Sequence, residues 1–233
     1  MNQSRFINEL KMLDIQVTEK KLEQLQKYYD LLIEYNKVMN LTGITDKEEV
    51  YLKHFYDSLT LAKIIDLNKE ENVCDLGSGA GFPGIVLKIF YPNLKIVLID
   101  SLNKRINFLN KVIEELNLKN IVAIHARIEE YAKENIEKFD VVTARAVAPL
   151  NVLLELGVSL VKVGKYFIAM KGNIQNEPNY ENAIIKLNCS LENIIEFKLP
   201  VEESNRSLIR IIKEKSTNKL FPRKYSEIKK NPL

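Results

Sequence analysis

The residues best placed to do chemistry form one run: Asp75-Leu76-Gly77-Ser78-Gly79-Ala80-Gly81-Phe82-Pro83-Gly84. It follows an apolar, strand-like stretch (72–76) and opens a helical one (about 83–90). Glycines there let the chain turn tightly and let a ligand approach the backbone. The crevice at the carboxyl end of such a strand is where doubly wound sheets bind nucleotides. Residues 79–84 satisfy the G-x-G-x-x-G pattern of dinucleotide sites. Asp100 ends the next strand-like stretch, where an acid binds ribose hydroxyls, whether of NAD or of S-adenosyl-L-methionine. Asp75 separates the two. A carboxylate just before the loop sits badly beside a pyrophosphate and suits a cofactor with a sulfonium and an amino group.

These residues need a sheet to position them. From Val73 onward, short β-rich runs alternate with helical stretches. The strand candidates are 72–76, 95–99, 121–125, 139–143, 164–170, 192–198 and 206–213. Helices fill about 83–90, 103–117, 128–135, 147–158 and 177–187. The alternation predicts a parallel sheet with helices on both faces. No helix fits between the last two strands, so they should pair as an antiparallel hairpin. The expected fold is therefore α/β, Rossmann-like, with seven mostly parallel strands and a terminal hairpin.

Upstream, Leu22, Leu25, Tyr29, Leu32, Tyr35 and Met39 recur at helical spacing, with Thr18 as a plausible N-cap. Asp46 and Glu49 form a capping-box pattern. A helical segment over 1–66 preceding a sheet domain over 67–233 is the expected division.

The chain has 233 residues, 46% apolar and 28% charged, enough to bury a sizeable core. No stretch approaches the ~18 apolar residues of a membrane span, and no signal peptide is visible. Cys74 sits in an apolar run, and Cys74 and Cys189 do not form a secreted disulfide framework. A cytoplasmic monomer is the expectation. The net charge is only +3, but residues 198–233 hold ten Lys/Arg against four Asp/Glu. A basic end of this kind often meets phosphate, and it is equally the composition of a solvated terminus.

Several motifs taken together resemble the bacterial rRNA guanine-N7 methyltransferases once named glucose-inhibited division protein B. They are Asp75–Gly84 with its Phe-Pro-Gly ending, Asn40-Leu41-Thr42-Gly43-Ile44, and His54-Phe55-Tyr56-Asp57-Ser58-Leu59. Asp100-Ser101 with Lys104-Arg105 and Phe108-Leu109, then Thr143–Ala148 and Met170-Lys171-Gly172, follow in order. Phe221-Pro222-Arg223-Lys224 and Asn231-Pro232-Leu233 complete the set. The resemblance spans nearly the whole chain. It implies a class I S-adenosylmethionine-dependent methyltransferase fold and N7 methylation of the guanine at position 527 of 16S rRNA. The partner it implies is the small ribosomal subunit or its assembly intermediate.

By the resemblance, Gly77 and Phe82 line the cofactor pocket, Ile128-Glu129 contacts the adenosine, and Arg145 lies near cofactor or substrate; Gly79 of the loop and Asp100 at the strand end join the expected cofactor site. The family usually has Ala-Glu where this chain has Ile128-Glu129, and a Gly shortly after Pro-Arg-Lys where it has Tyr225-Ser226. Candidates for the RNA are Asn40, His54, Arg145, Lys171 and Arg223, with Lys224 beside them. Each has a plainer reading: Asn40 as a helix cap, His54 as a packed histidine, and Arg145 as the partner of Asp140 or another acid.

Guanine N7 is a neutral nucleophile without a proton, so no catalytic base is expected and positioning should dominate. The chain agrees by omission. After the fourth strand it reads Thr143-Ala144-Arg145-Ala146-Val147, not the (Asp/Asn)-Pro-Pro-aromatic motif of amino-group methyltransferases. Neither cysteine follows a proline, as a ring-carbon nucleophile usually would. His54 and His125 stand alone, so no metal is expected. The rivals are an NAD-dependent oxidoreductase and a non-catalytic RNA-binding module. Asp75 argues against the first, and the intact loop with Gly77 and Asp100 against the second.

Overall fold

The computed structural model describes residues 1–233. The N-terminal third is helical: α1 (Gln3–Met12), α2 (Glu19–Met39), α3 (Lys47–Val50) and α4 (Asp57–Leu59). Thr18 caps α2 by accepting from the Lys21 N–H, and Asp46 caps α3 by accepting from the Glu49 N–H. Asn40 ends α2 in the left-handed conformation, with φ 51°. Just beyond it the Asn36 amide brackets Thr42, donating to its carbonyl and accepting from its N–H, both at 2.9 Å. The apolar stripe of α2 buries Leu25, Tyr28 and Leu32. Tyr28, not Tyr29, is thus the buried tyrosine; both satisfy helical spacing from Leu25, and only packing separates them.

Between α3 and α4, Tyr51–Tyr56 winds as a π-helix. Such turns are rare and frequent at functional sites. This one sets Lys53 and His54, with Asp57 just beyond, along the wall of a cleft described below.

Seven strands follow: β1 (Asn72–Leu76), β2 (Lys95–Asp100), β3 (Ile121–His125), β4 (Phe139–Arg145), β5 (Val161–Lys171), β6 (Cys189–Lys198) and β7 (Asn205–Lys213). They lie in the order β3-β2-β1-β4-β5-β7-β6. β1 to β5 are parallel; β7 runs antiparallel to β5, and β6 to β7. The expected hairpin is there, and it closes one edge of the sheet. The strand order reverses between β1 and β4, which opens a crevice at their carboxyl ends.

Helices α5 (Gly84–Phe90), α6 (Asn103–Glu115), α7 (Ile128–Glu134), α8 (Leu150–Gly157) and α9 (Glu181–Lys186) cover the sheet, and α10 (Tyr225–Lys230) lies near the C-terminus. Side chains alternate between the faces. On β1, Val73 enters one apolar cluster and Cys74 the other; on β5, Ile168 and Phe167 divide in the same way. The first cluster also takes in Phe6, Leu25, Tyr28 and Leu32 from α1 and α2, so the N-terminal helices share a core with this face of the sheet. No helix is long and apolar enough to cross a membrane.

The basic C-terminal stretch is partly sheet. Arg206, Arg210 and Lys213 lie on β7 and pair with Asp57, Glu192 and Glu137. Exposed lysines without an ion pair lie further on, at 215, 219, 224, 229 and 230.

Candidate functional site

Two clefts open at the carboxyl edge of β1 and β4. The first, about 270 Å³, is the glycine-loop cleft. β1 delivers the chain into Gly77, whose φ of +63° is left-handed. A Cβ there would also lie 2.7 Å from Val147 Cγ2 across the cleft, so both conformation and space call for glycine. Asp100, almost wholly buried, fastens the loop to β2. Its Oδ2 accepts from the Gly79 N–H at 2.9 Å and from Arg105 at 3.2 Å, and its Oδ1 accepts from the Leu102 N–H at 2.9 Å. The cleft is also lined by Ile128 and Glu129 at the start of α7 and by Leu156 of α8.

Asp75 is fully buried beneath this loop. Its Oδ2 accepts from the Gly84 N–H at 2.9 Å, and its Oδ1 has no partner in the chain. Gly84 allows this approach, because a Cβ there would meet Leu98 at 2.2 Å and the same carboxylate at 2.8 Å. Burial pushes the Asp75 carboxyl up to about 7, against the lowering effect of the Gly84 bond. A partnerless buried carboxylate oxygen suits positive charge and not a pyrophosphate.

The second cleft, about 470 Å³, is the arginine cleft. Arg145 ends β4. Its Nη1 donates to the Lys53 carbonyl at 2.8 Å and to Asp57 Oδ2 at 3.1 Å, and its Nη2 lies 3.3 Å from His54 Nδ1. Arg206 Nε donates to the other Asp57 oxygen at 3.0 Å. One buried carboxylate therefore bridges two guanidiniums, a charge-assisted arrangement that fixes both. Opposite them, Lys171 donates to the Ala148 carbonyl and pairs with Glu177 at 3.0 Å.

His54 stacks on Phe82 with ring centroids 4.4 Å apart, and the Arg145 guanidinium lies 5.3 Å from the same ring. His54 Nε2 lies 2.9 Å from Thr42 Oγ1. His54 Nδ1 also lies 3.2 Å from the Lys53 carbonyl, so both ring nitrogens are engaged. Burial first, and Arg145 second, push the His54 pKa down to about 3, so the ring is neutral at physiological pH. Tyr28 reaches the loop from the N-terminal helices, donating its hydroxyl to the Ala80 carbonyl.

The two clefts share Ala146, which directly follows Arg145 and is held at φ 57°. A left-handed residue other than Gly or Asn is strained, and such strain collects at functional sites.

The residues singled out in the sequence divide among several places. Gly77, Asp100, Ile128 and Glu129 line the glycine-loop cleft. His54, Arg145 and Lys171 line the arginine cleft, together with Ile44 of the Asn40–Ile44 motif. Gly79 holds Asp100 through its N–H. Phe82 is not brought to the glycine-loop cleft; it lies packed between His54 and Tyr28, where it ties the helical segment to the loop. Asn40 is exposed at the end of α2. Arg223 reaches neither cleft. Its Nε and Nη2 bind the buried Glu155 at 2.7 and 2.6 Å, so its guanidinium fastens the tail to α8. Arg145 pairs with an acid, but with Asp57; Asp140 pairs with Lys162. Thr42 and Asp57 lie inside motifs that carry the family resemblance but have no role assigned from the sequence, and Arg206 lies in no motif.

The profile of the family described as "rRNA small subunit methyltransferase G" matches residues 21–209. The chain belongs to this family. It is 48% identical to the ribosomal RNA small subunit methyltransferase G of Lysinibacillus sphaericus, covering 100% of both chains. It is 47% identical to the protein of that name from Bacillus subtilis, covering 100% of this chain and 99% of the relative. Among solved structures, a SAM-dependent methyltransferase from Aquifex aeolicus superposes with a TM-score of 0.51 at 17% identity, over 72% of this chain and 94% of that one. At that identity the superposition shows the fold, a class I methyltransferase sheet.

Proposed function

We propose that this chain transfers a methyl group from S-adenosyl-L-methionine to N7 of a guanine in 16S rRNA, at the position, 527, that the family resemblance implies. The observation that carries the reading is the meeting of the two clefts at Ala146. One is shaped by backbone and acid for a nucleoside cofactor, the other by guanidiniums for an RNA base. The family supports the substrate class: relatives along the full chain bear the name of a small-subunit rRNA methyltransferase.

The residues fit the cofactor. Asp100 stands where ribose hydroxyls would bind, and Ile128 and Leu156 offer an apolar surface to a flat base; beneath the loop, the orphaned Asp75 oxygen favours a cation above it. Bound there, the cofactor supplies a methyl group already activated on a sulfonium. Asp75 also speaks against the NAD reading, since an acid buried beneath the loop disfavours a pyrophosphate above it.

The groups that could accept a proton in the arginine cleft are engaged. His54 Nδ1 faces Arg145, Asp57 is held by two arginines, and Glu177 by Lys171. That suits a nucleophile that has no proton to lose. Transfer of that methyl group to N7 would leave positive charge on the purine and no proton for His54, Asp57 or Glu177 to take. The work left to the protein is to hold the line of attack, which well-oriented sites make worth ~7–11 kcal/mol. Arg206 Nη2 makes no bond within the chain and is a donor left for a carbonyl or phosphate oxygen of the RNA. N7 lies in the deep, narrow groove of A-form RNA, so the target guanine must be unstacked or in a loop to enter the cleft.

The test is transfer of labelled methyl to small subunits that lack their own N7 methylation, followed by nucleoside mass analysis. Label recovered as 7-methylguanosine at one position of 16S rRNA is expected. Label in another nucleoside, or none, would overturn the reading.

A further inference from the structure

We propose that Tyr225 forms an aromatic wall of the glycine-loop cleft against which the adenine ring of the cofactor packs. This rests on the cofactor reading above and adds to it a residue of the C-terminal tail.

The cleft is uneven in chemistry. Gly77 and Asp100 make the end at the loop polar. Ser101, Arg105, Arg127 and Glu129 add to the polar part, and the other part of the lining is apolar. Ile128, Ala148 and Leu156 belong to one small cluster, centred on Val152, Leu156 and the fully buried Ile228 of α10. The tail thus reaches the cleft because α10 packs on α8.

Tyr225 is the first residue of α10 and lines the same cleft. It is fastened on both sides. Two residues before it, Arg223 makes three bonds to the buried Glu155: from its N–H at 3.2 Å, from Nε at 2.7 Å and from Nη2 at 2.6 Å. Three residues after it, Ile228 is 0% exposed. Between these anchors the Tyr225 side chain is left 37% exposed, and its ring pairs with no other aromatic ring of the chain. A backbone held this firmly, carrying an open aromatic ring on the apolar part of a nucleoside cleft, is suited to a flat heterocycle. Any nucleobase has a π-face that such a ring can cover.

The experiment is calorimetric titration of the full chain with S-adenosylhomocysteine and with methylthioadenosine, which share the adenosine half but not the amino-acid half. Wild type, Tyr225→Ala and Tyr225→Phe are compared, with Tm recorded for each. The expected result is that Tyr225→Ala weakens both ligands equally, by about tenfold, with Tm unchanged, while Tyr225→Phe binds as wild type. A Tyr225→Ala protein that binds both ligands as tightly as wild type would overturn the proposal and leave the cofactor reading standing. So would a loss of affinity that only accompanies a fall in Tm. A wild-type protein that binds neither ligand would overturn the cofactor reading, and this inference with it.

Discussion

In the glycine-loop cleft the decisive groups are main chain or short side chains at the ends of consecutive strands: Gly77 after β1, Asp100 on β2 and Ile128 after β3. In the arginine cleft they are long charged side chains brought from far apart. Arg145 and Asp57 are separated by 88 positions, Arg206 and Asp57 by 149. A cleft of backbone is stiff and changes little when a distant residue is altered. A cleft of paired side chains is only as well placed as its counter-ions. Orientation of the acceptor should therefore be the fragile property of this protein, and cofactor binding the robust one.

The largest effect is expected at Asp57. Asp57→Ala leaves Arg145 and Arg206 facing each other without their shared carboxylate. Breaking a buried pair costs about 3–5 kcal/mol, which for a chain of this size lowers Tm by about 10 °C. Thermal melts read the loss, and methyl transfer should fall with it. Cofactor affinity, measured on the folded protein, should change little; an equal fall there would break the distinction between the clefts.

Gly77→Ala reverses the pattern. The left-handed backbone costs about 1–2 kcal/mol with a Cβ, and the new carbon meets Val147 at 2.7 Å. Cofactor affinity should drop at least tenfold by calorimetry, with RNA affinity unchanged in a filter-binding assay.

Arg223→Ala should act on stability and not on the RNA directly. It strands the buried Glu155, and a Tm several degrees lower is expected, restored in part by Arg223→Leu combined with Glu155→Leu. Unchanged stability with weaker RNA binding would instead make Arg223 an RNA contact.

Smaller effects follow from titration. With Asp75 at about 7, a cation bound nearby favours the carboxylate. Cofactor affinity should rise about tenfold between pH 6 and pH 8 and stay level in Asp75→Asn. Stability shows two opposing slopes. His54 falls from 6.5 unfolded to about 3 folded, so its contribution is lost as pH drops through that window. Asp75 rises from 3.8 to about 7, so its contribution is present at low pH and lost as pH rises. The two offset each other across pH 4 to 6.5. Denaturant titrations of Asp75→Asn should uncover a stability that declines as pH is lowered.

The same contrast explains what the sequence disclosed. The glycine loop, Asp75 and Asp100 are legible because a backbone site is written contiguously, after a strand whose period is plain. The strands of the sheet, and its hairpin, follow from period and spacing in the same way. The pairing of Asp57 with Arg206 is not legible: Asp57 sits in a motif that gives it no role, Arg206 sits in none, and their value lies in meeting. Phe82 sits inside the loop motif yet turns to the helical segment, because a motif specifies the backbone path better than each side chain's direction. Arg223 lies in a basic tail and looks free, but a buried acid on α8 claims it. The π-helix at Tyr51–Tyr56 follows from packing of five buried side chains, which no spacing rule separates from an ordinary helix.

Arg145 tests the division between the clefts most directly, because it ends the strand on which they meet. Arg145→Lys keeps the charge and loses the fork that holds the Lys53 carbonyl, Asp57 and His54 together. Cofactor affinity and single-turnover transfer to small subunits should be measured on the same preparation. Affinity within threefold of wild type, with transfer slowed about a hundredfold, is the expected result. A cofactor affinity that falls as far as the transfer rate would contradict the assignment of Arg145 to the acceptor side.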